Sequence, residues 1–290
     1  MRTFFYVALL VATCCFATYS AHGAELQLPA TVVANTAFSI SAGGSGAATL
    51  YLLGPGHVAK RQVQLGSEIK INPEEVRDAG RYLVILRSGD RSDTGAFYVV
   101  AAPPAALSFL DHPSRVPVAE NDAINAVAFV LDKFHNVVLA PQAVNFRLTV
   151  KDAPPLIRSV TSRNGVAWAL LNSSRKEGAA HFDATLGDIK VDRVVQQVAS
   201  DACNLRIKAQ PTPKGFLVET DPVRDCSGNA LPDGTIVSFT AIGPDGKSTV
   251  DAPIKRGVAR TLIPVQHGAT ISVASGVVIG NELHVGGGGQ

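Results

Sequence analysis

Short alternating or wholly apolar runs recur along the chain, and helical periodicity is nearly absent. Examples are TAFSI, ATLYLL, RYLVIL, GAFYVV, AVNFRLTV, GVAWALL, TIVSFT and TISVAS, separated by Gly, Pro, Asn and Asp. A period of two sends successive side chains to opposite faces of a strand. Strands this short, punctuated this often, predict β-sandwiches. One segment reads differently. NPEEVRDAG, Asn72 to Gly80, predicts a single helical turn started by Asn72, with Pro73 at the first helical position.

Two breaks divide the pattern. AAPPAA, Ala101 to Ala106, is short, contains two prolines and offers little to pack. A second break falls at ASDAC, Ala199 to Cys203. The resulting pieces have the usual size of one sandwich, about 80 to 100 residues. The tail HVGGGGQ has no packing side chain beyond Val285 and is expected to be flexible.

Two of the pieces repeat one another. DKFHNVVLAPQAVNF, Asp132 to Phe146, aligns with DCSGNALPDGTIVSF, Asp225 to Phe239, at a constant offset of 93 residues. Asp132 then meets Asp225, Asn136 meets Asn229, Val138 meets Leu231, Val144 meets Val237 and Phe146 meets Phe239. Further on, NGVAWALL at Asn164 parallels RGVARTLI at Arg256, and EGAAHFDATLG parallels HGATISVASG. A pattern shared over linked stretches marks two copies of one domain type. Asp and Asn accept backbone hydrogen bonds in turns, and Asn tolerates a left-handed backbone. The repeated stretch is therefore a strand-entry turn. After it Val144 and Phe146, like Val237 and Phe239, are expected to face a core, with Ile236, Ser238 and Thr240 opposite.

These residues resemble the bacterial Ig-like domain of the invasin/intimin type, called Big-1. That family reads roughly Asp-x-x-Gly-Asn, a Pro-rich turn, Val-x-Phe and later Gly-x-Ala. The third piece matches with Asp225, Gly228, Asn229, Pro232, Gly234, Val237, Phe239, Gly257 and Ala259. The second departs from it, with His135 at the glycine position and Ala140-Pro141 in place of Asp233-Gly234. The first piece carries a different signature: VRDAGRYLV is similar to the tyrosine corner of Ig-like domains, with Asp78, Gly80 and Tyr82. Its hydroxyl would bond back to the backbone, and Val84 stands where antibody-type domains place their second cysteine. The expected fold is all-β: three tandem Ig-like β-sandwich domains after a cleaved signal peptide. The divisions are residues 1–23 signal peptide, 24–102 Ig-like domain 1, 103–200 and 201–285 invasin-type domains 2 and 3, and 286–290 tail. The resemblance implies a stalk or adhesive module of a bacterial surface. A lectin-like tip and a β-barrel anchor are not recognisable in the sequence.

Composition sharpens the picture in places. Among the 290 residues, the hydrophobic set is 46% and charged residues 17%, enough apolar material for a core in each domain. Net charge is +2 with basic residues scattered, so no nucleic-acid footprint is indicated. The N-terminus, MRTFFYVALLVATCCFATYSAHGAEL, has a basic start, an apolar stretch and small residues at Ala21 and Gly23, the pattern of a secretory signal cut before Ala24. The competing lipoprotein reading, with VATC ending at Cys14, suffers from threonine before the cysteine. No later segment is long and apolar enough to span a bilayer. Export makes a disulfide the default for the remaining pair, Cys203 and Cys226. The chain-entropy model gives such a loop about 3 kcal/mol.

Catalytic patterns are not found: no nucleophile elbow, H-E-x-x-H, phosphate-binding loop or dinucleotide fingerprint. The seven histidines are spread singly. Asp225, Ser227 and Asn229 alternate oxygens as a calcium loop does, but position six is Ala230 and position twelve Ile236. An EF-hand needs glycine and a bidentate glutamate there, so the turn reading is preferred. No cofactor is expected. Trp168 is expected in the core, the outward face being the alternative. The GPGH turn at Gly54 and RSGDRSD, Arg87 to Asp93, read equally as recognition loops or as plain hairpin connections.

The sequence therefore predicts a noncatalytic exported structural or adhesive protein with an unidentified protein or surface partner, in the periplasm, at the cell surface or outside the cell. One alternative is an accessory subunit of a periplasmic or outer-membrane complex, which predicts a contiguous apolar surface patch. Another is a carbohydrate- or ligand-binding sandwich, which predicts aromatic side chains clustered on one exposed face.

Overall fold

The structure, a computed structural model, describes residues 26–244, 246–265 and 268–286. The expected signal peptide, Cys14 and the last four residues of the tail lie outside the described residues. The chain forms two compact units, one ending at Val100 and one starting at Ala101.

The first unit contains β1 (Leu26–Gln27), β2 (Thr31–Val33), β3 (Phe38–Ala42), β4 (Gly46–Gly54), β5 (His57–Leu65), β6 (Ile69–Ile71), β7 (Gly80–Ser88) and β8 (Arg91–Val100). They make a three-stranded sheet, β1-β3-β6, and a five-stranded sheet, β2-β8-β7-β4-β5, with β2 running parallel to β8. Alternation sets the inward faces: Leu50 and Leu52 on β4, Tyr82, Val84 and Leu86 on β7, Phe97 and Val99 on β8 are all buried. Between β6 and β7, Pro73–Val76 forms one 3-10 turn. The Asn72 amide donates to Glu75 Oε2 at 2.8 Å, and Pro73 removes a donor that the first turn would leave unpaired.

The second unit begins with β9 (Pro104–His112), β10 (Arg115–Pro117), β11 (Ile124–Asp132), β12 (Ala143–Val150), β13 (Leu156–Thr161), β14 (Val166–Leu171), β15 (Gly178–Leu186) and β16 (Ile189–Val198). The sheets are β14-β11-β9 and β10-β16-β15-β12-β13, with β10 parallel to β16. Strand for strand, this is the order of the first unit. Phe109, Phe146 and Phe182 meet in the middle of this core, with ring centroids 5.0 to 6.3 Å apart.

A second core in the same unit is built from β17 (Ala202–Cys203), β18 (Ile207–Thr212), β19 (Gly215–Thr220), β20 (Arg224–Asp225), β21 (Ile236–Gly243), β22 (Gly246–Pro253), β23 (Arg260–Ile263), β24 (Ala269–Ser275) and β25 (Val278–Val285). Its sheets are β18-β19-β23 and β22-β21-β24-β25, with a small β17-β20 ribbon. Phe239 and Val237 lie at its centre with no exposed surface. Burying a phenylalanine fully contributes about 1.5–3 kcal/mol. The fold is thus all-β, a tandem series of Ig-like sandwiches.

Candidate functional site

Chemistry-bearing groups gather where one sandwich follows another. Asp225 is buried at the end of β20. Its Oδ1 accepts the amides of Ser227 and Asn229 at 2.8 and 2.9 Å. Its Oδ2 accepts Asn229 Nδ2 at 2.9 Å and the Ser200 amide at 3.2 Å. Four donors occupy the carboxylate. Ser200 belongs to the segment that enters this sandwich, so the aspartate ties the turn to the entry strand.

Asp132, fully buried at the end of β11, repeats the arrangement. Oδ1 accepts the amides of Phe134 and Asn136 at 2.8 and 2.9 Å, and Oδ2 accepts Asn136 Nδ2 at 2.8 Å and the Ala102 amide at 2.9 Å. Ala102 again leads into its sandwich. For both carboxyls burial works against ionisation, but the asparagine side chain and three backbone amides outweigh it and hold the pKa below the usual carboxylate value. The fourth turn position has a left-handed backbone in both copies, φ 89° at Gly228 and 67° at His135. Glycine accepts this without strain; histidine does not.

Asn229 also reaches the preceding sandwich. Its Nδ2 donates to the Arg175 carbonyl at 3.0 Å, and its Oδ1 accepts the Glu177 amide at 3.3 Å. Cys226, in the same turn, is disulfide-bonded to Cys203 on β17, with Cα atoms 5.0 Å apart. Turn, entry strand and preceding sandwich are therefore joined by one cluster of residues. Beside it lies a cleft of about 490 Å³ lined by Arg115, Pro117 and Glu120 on one side and Leu231, Pro232 and Ile236 on the other.

The carboxylate of this cluster is fully engaged in hydrogen bonds. Asp225 has no free lone pair for a cation once four N–H groups converge on it. Among the described residues, no group of three or more His, Cys, Asp or Glu could hold a metal. His57, His112, His135, His181 and His284 are spread singly along the chain, and His267 lies outside the described residues.

In the first unit Tyr82 is fully buried and stacks on Phe97 at 5.3 Å. Gly54 makes room for it, since a Cβ there would lie 2.1 Å from Tyr82 Cε1. The hydroxyl pKa is raised, first by burial and then by the Asp78 charge, while the Asp78 amide pulls the other way. That amide acts on the hydroxyl but does not meet hydrogen-bond geometry, and the hydroxyl is buried without a partner. Asp78 and Gly80 flank the start of β7, Gly80 with φ 147°. Both loops weighed as recognition loops are two-residue hairpin tips: pairing runs up to Gly54–His57 and to Ser88–Arg91.

Trp168 overturns the expectation of a buried tryptophan. It is 54% exposed, and Ala167, Ala169 and Leu171 take the inward positions of β14. Its indole N–H donates to Asn125 Oδ1 at 2.6 Å. The ring borders a groove of about 1120 Å³ between β13 and β14, lined also by Asn121, Asp122, Ile157, Arg158 and Asn172. The alanines flanking Trp168 were the signal that could have placed it outside.

The repeated strand order defines a tandem array of Ig-like sandwiches. Among solved structures the chain is similar to FdeC, an Escherichia coli adhesin, at 16% identity and a TM-score of 0.62, covering 90% of this chain and 95% of that one. It is also similar to invasin, a bacterial integrin-binding protein (12%, TM-score 0.48, 86% of this chain and 56% of that one). InvD of Yersinia pseudotuberculosis follows at 10%, TM-score 0.49, with 90% and 97% covered. Only the first of these likenesses is close enough to carry weight, and it concerns the fold. No family model and no curated protein matches the chain. Among the described residues no helix is long and apolar enough to cross a membrane.

Proposed function

We propose that the protein is a noncatalytic structural and adhesive module, exported by a bacterium and working at the cell envelope or surface. The observation that carries this reading is the pinned joint between the second and third sandwiches, made by Asp225, Asn229 and the Cys203–Cys226 disulfide. A stiff joint transmits force and holds a distal surface at a fixed orientation. The likeness to the FdeC adhesin over nearly the whole length of both chains supports the same reading. A disulfide suits an oxidising compartment outside the cytoplasm.

The test uses the producing bacterium. Protease added to intact cells should remove the chain, and a strain lacking it should attach to cells or surfaces several-fold less, with attachment restored by the wild-type gene. Unchanged attachment by a strain whose wild-type parent displays the chain would overturn the adhesive role.

One observation favours a second reading, an accessory subunit of an envelope complex: on the outward face of β14-β11-β9, Val127 is in register with the exposed Leu110 and Trp168, an apolar row across three strands. Co-purification of a stoichiometric envelope partner through that face would support it. The carbohydrate reading gains less, because Tyr98 and Trp168, the exposed large aromatics among the described residues, belong to different units.

A further inference from the structure

Arg61 and Arg158 occupy one position in two sandwiches. On β5 the inward positions read Ala59, Arg61 and Val63, in register with the buried Leu52, Leu50 and Ala48 of β4. On β13 they read Leu156, Arg158 and Val160, in register with the buried Leu148, Phe146 and Val144 of β12. β5 and β13 each end the five-stranded sheet of their sandwich, and β6 and β14 each end the three-stranded one. The third sandwich has Val250 at this position, opposite Phe239. In the first sandwich the arginine closes the gap between the two sheet edges. Its guanidinium donates to the Lys70 carbonyl on β6 and pairs with the Glu75 carboxylate on the turn that follows. In the second, no hydrogen bond or ion pair engages Arg158 among the described residues. After β14 the chain runs Asn172-Ser173-Ser174, without a carboxylate. Asp122 lines the gap too, yet forms no ion pair with Arg158. The gap is the groove of about 1120 Å³ between β13 and β14, and Arg158, on the core side by register, is exposed in it.

We propose that this groove receives an extended peptide segment of another protein, added as a strand to the free edge of β13, with an acidic side chain opposite Arg158. Two features fix that chemistry. An edge strand offers a row of unpaired N–H and C=O groups at strand spacing, which a peptide main chain matches. The partners that Arg61 takes in the first sandwich, one carboxylate and one backbone carbonyl, are what such a peptide supplies to Arg158. Residues opposite one another on neighbouring strands lie about 5 Å apart, within reach of a guanidinium. Leu156 and Val160 flank Arg158 on the same side, so the peptide positions two before and two after the acidic one are apolar. The recognised pattern is apolar, any, acidic, any, apolar. Asp122 in the same groove opposes a run of acidic residues. The edge is 6 residues long, so the affinity is low, with a dissociation constant on the order of a hundred micromolar. This inference rests on the geometry of the sheet edges and not on the adhesive reading, so failure of the attachment test would leave it standing.

Titration of the exported, oxidised chain with the end-blocked peptide TVTETVT tests it, read by calorimetry and by emission of Trp168, the single tryptophan, whose ring borders the groove. Saturable one-to-one binding that weakens with added salt is expected. Arg158→Gln in the protein, or glutamine for glutamate in the peptide, should each weaken binding about fivefold. The two changes together should cost little more than either alone. Proline in place of a threonine beside the glutamate removes a main-chain donor and should abolish binding. Arg147→Gln, on the outward side of β12, should leave binding unchanged. Arg158 is exposed and unpartnered, so its variant should melt within a few degrees of wild type. Absence of binding up to about 1 mM, equal affinity for the glutamate and glutamine peptides, or unchanged binding by Arg158→Gln would overturn the proposal. Binding of an oligoglucuronate instead, lost in Arg158→Gln, would assign the groove to an acidic glycan and overturn the peptide.

Discussion

His135 and Gly228 occupy one structural position with one backbone conformation and two residue types. Replacing His135 with glycine removes left-handed strain, and Gly228→Ala adds it, although a Cβ at Gly228 would meet open space. The first should stabilise by about 0.5 kcal/mol and the second destabilise by about 1 kcal/mol, checked by chemical unfolding. The paired aspartates govern acid stability. A carboxyl whose folded pKa is depressed stabilises fully above the unfolded carboxyl value, and that contribution is lost as pH falls through the folded value. Stability should therefore drop below about pH 4. Asp225→Asn should cost about 2 kcal/mol at neutral pH and flatten the acid limb in thermal melts at pH 3 to 7. An unaltered acid limb would disprove the role. The turn residues were legible because Asp, Asn and Gly have local uses. Trp168 was not, because alternation fixes parity without saying which parity faces inward. The clustered Phe109, Phe146 and Phe182 already fill that core, so Ala126, Ala128, Ala167 and Ala169 are what still fit.

At the level of elements, the strands and the single helical turn at Pro73–Val76 could be read from alternation and capping residues. Their pairing could not. The first sandwich shares no turn motif with the second, yet both have the same strand order, including the parallel edge strand. Pairing joins residues far apart in sequence, so it depends on burying every inward face at once and leaves no local trace. The sequence repeat instead reported the junction, which the second and third sandwiches share. The disulfide also belongs to this scale. It closes a separation of 23 residues, and Cys203→Ser with Cys226→Ser should cost about 3 kcal/mol. In calorimetry the loss should fall on the third sandwich, with melting of the first unit unmoved.

For the molecule as a whole, the joint between second and third sandwiches matters most. Asn229 is the residue that both closes a turn and grips the neighbouring sandwich. Asn229→Ala should loosen the joint without unfolding either side, seen in NMR relaxation as independent tumbling of the second and third sandwiches, which are expected to tumble together in wild type. The groove beside Trp168 and the row Leu110–Val127–Trp168 were invisible in the sequence, since outward faces acquire meaning only when neighbouring strands align them. Adhesion itself is tested most directly with beads carrying the purified, oxidised chain, held under flow against cells. Specific attachment well above that of albumin-coated beads is expected, with retention lowered by Asn229→Ala. Folded, correctly oxidised chain that retains beads no better than albumin would contradict it.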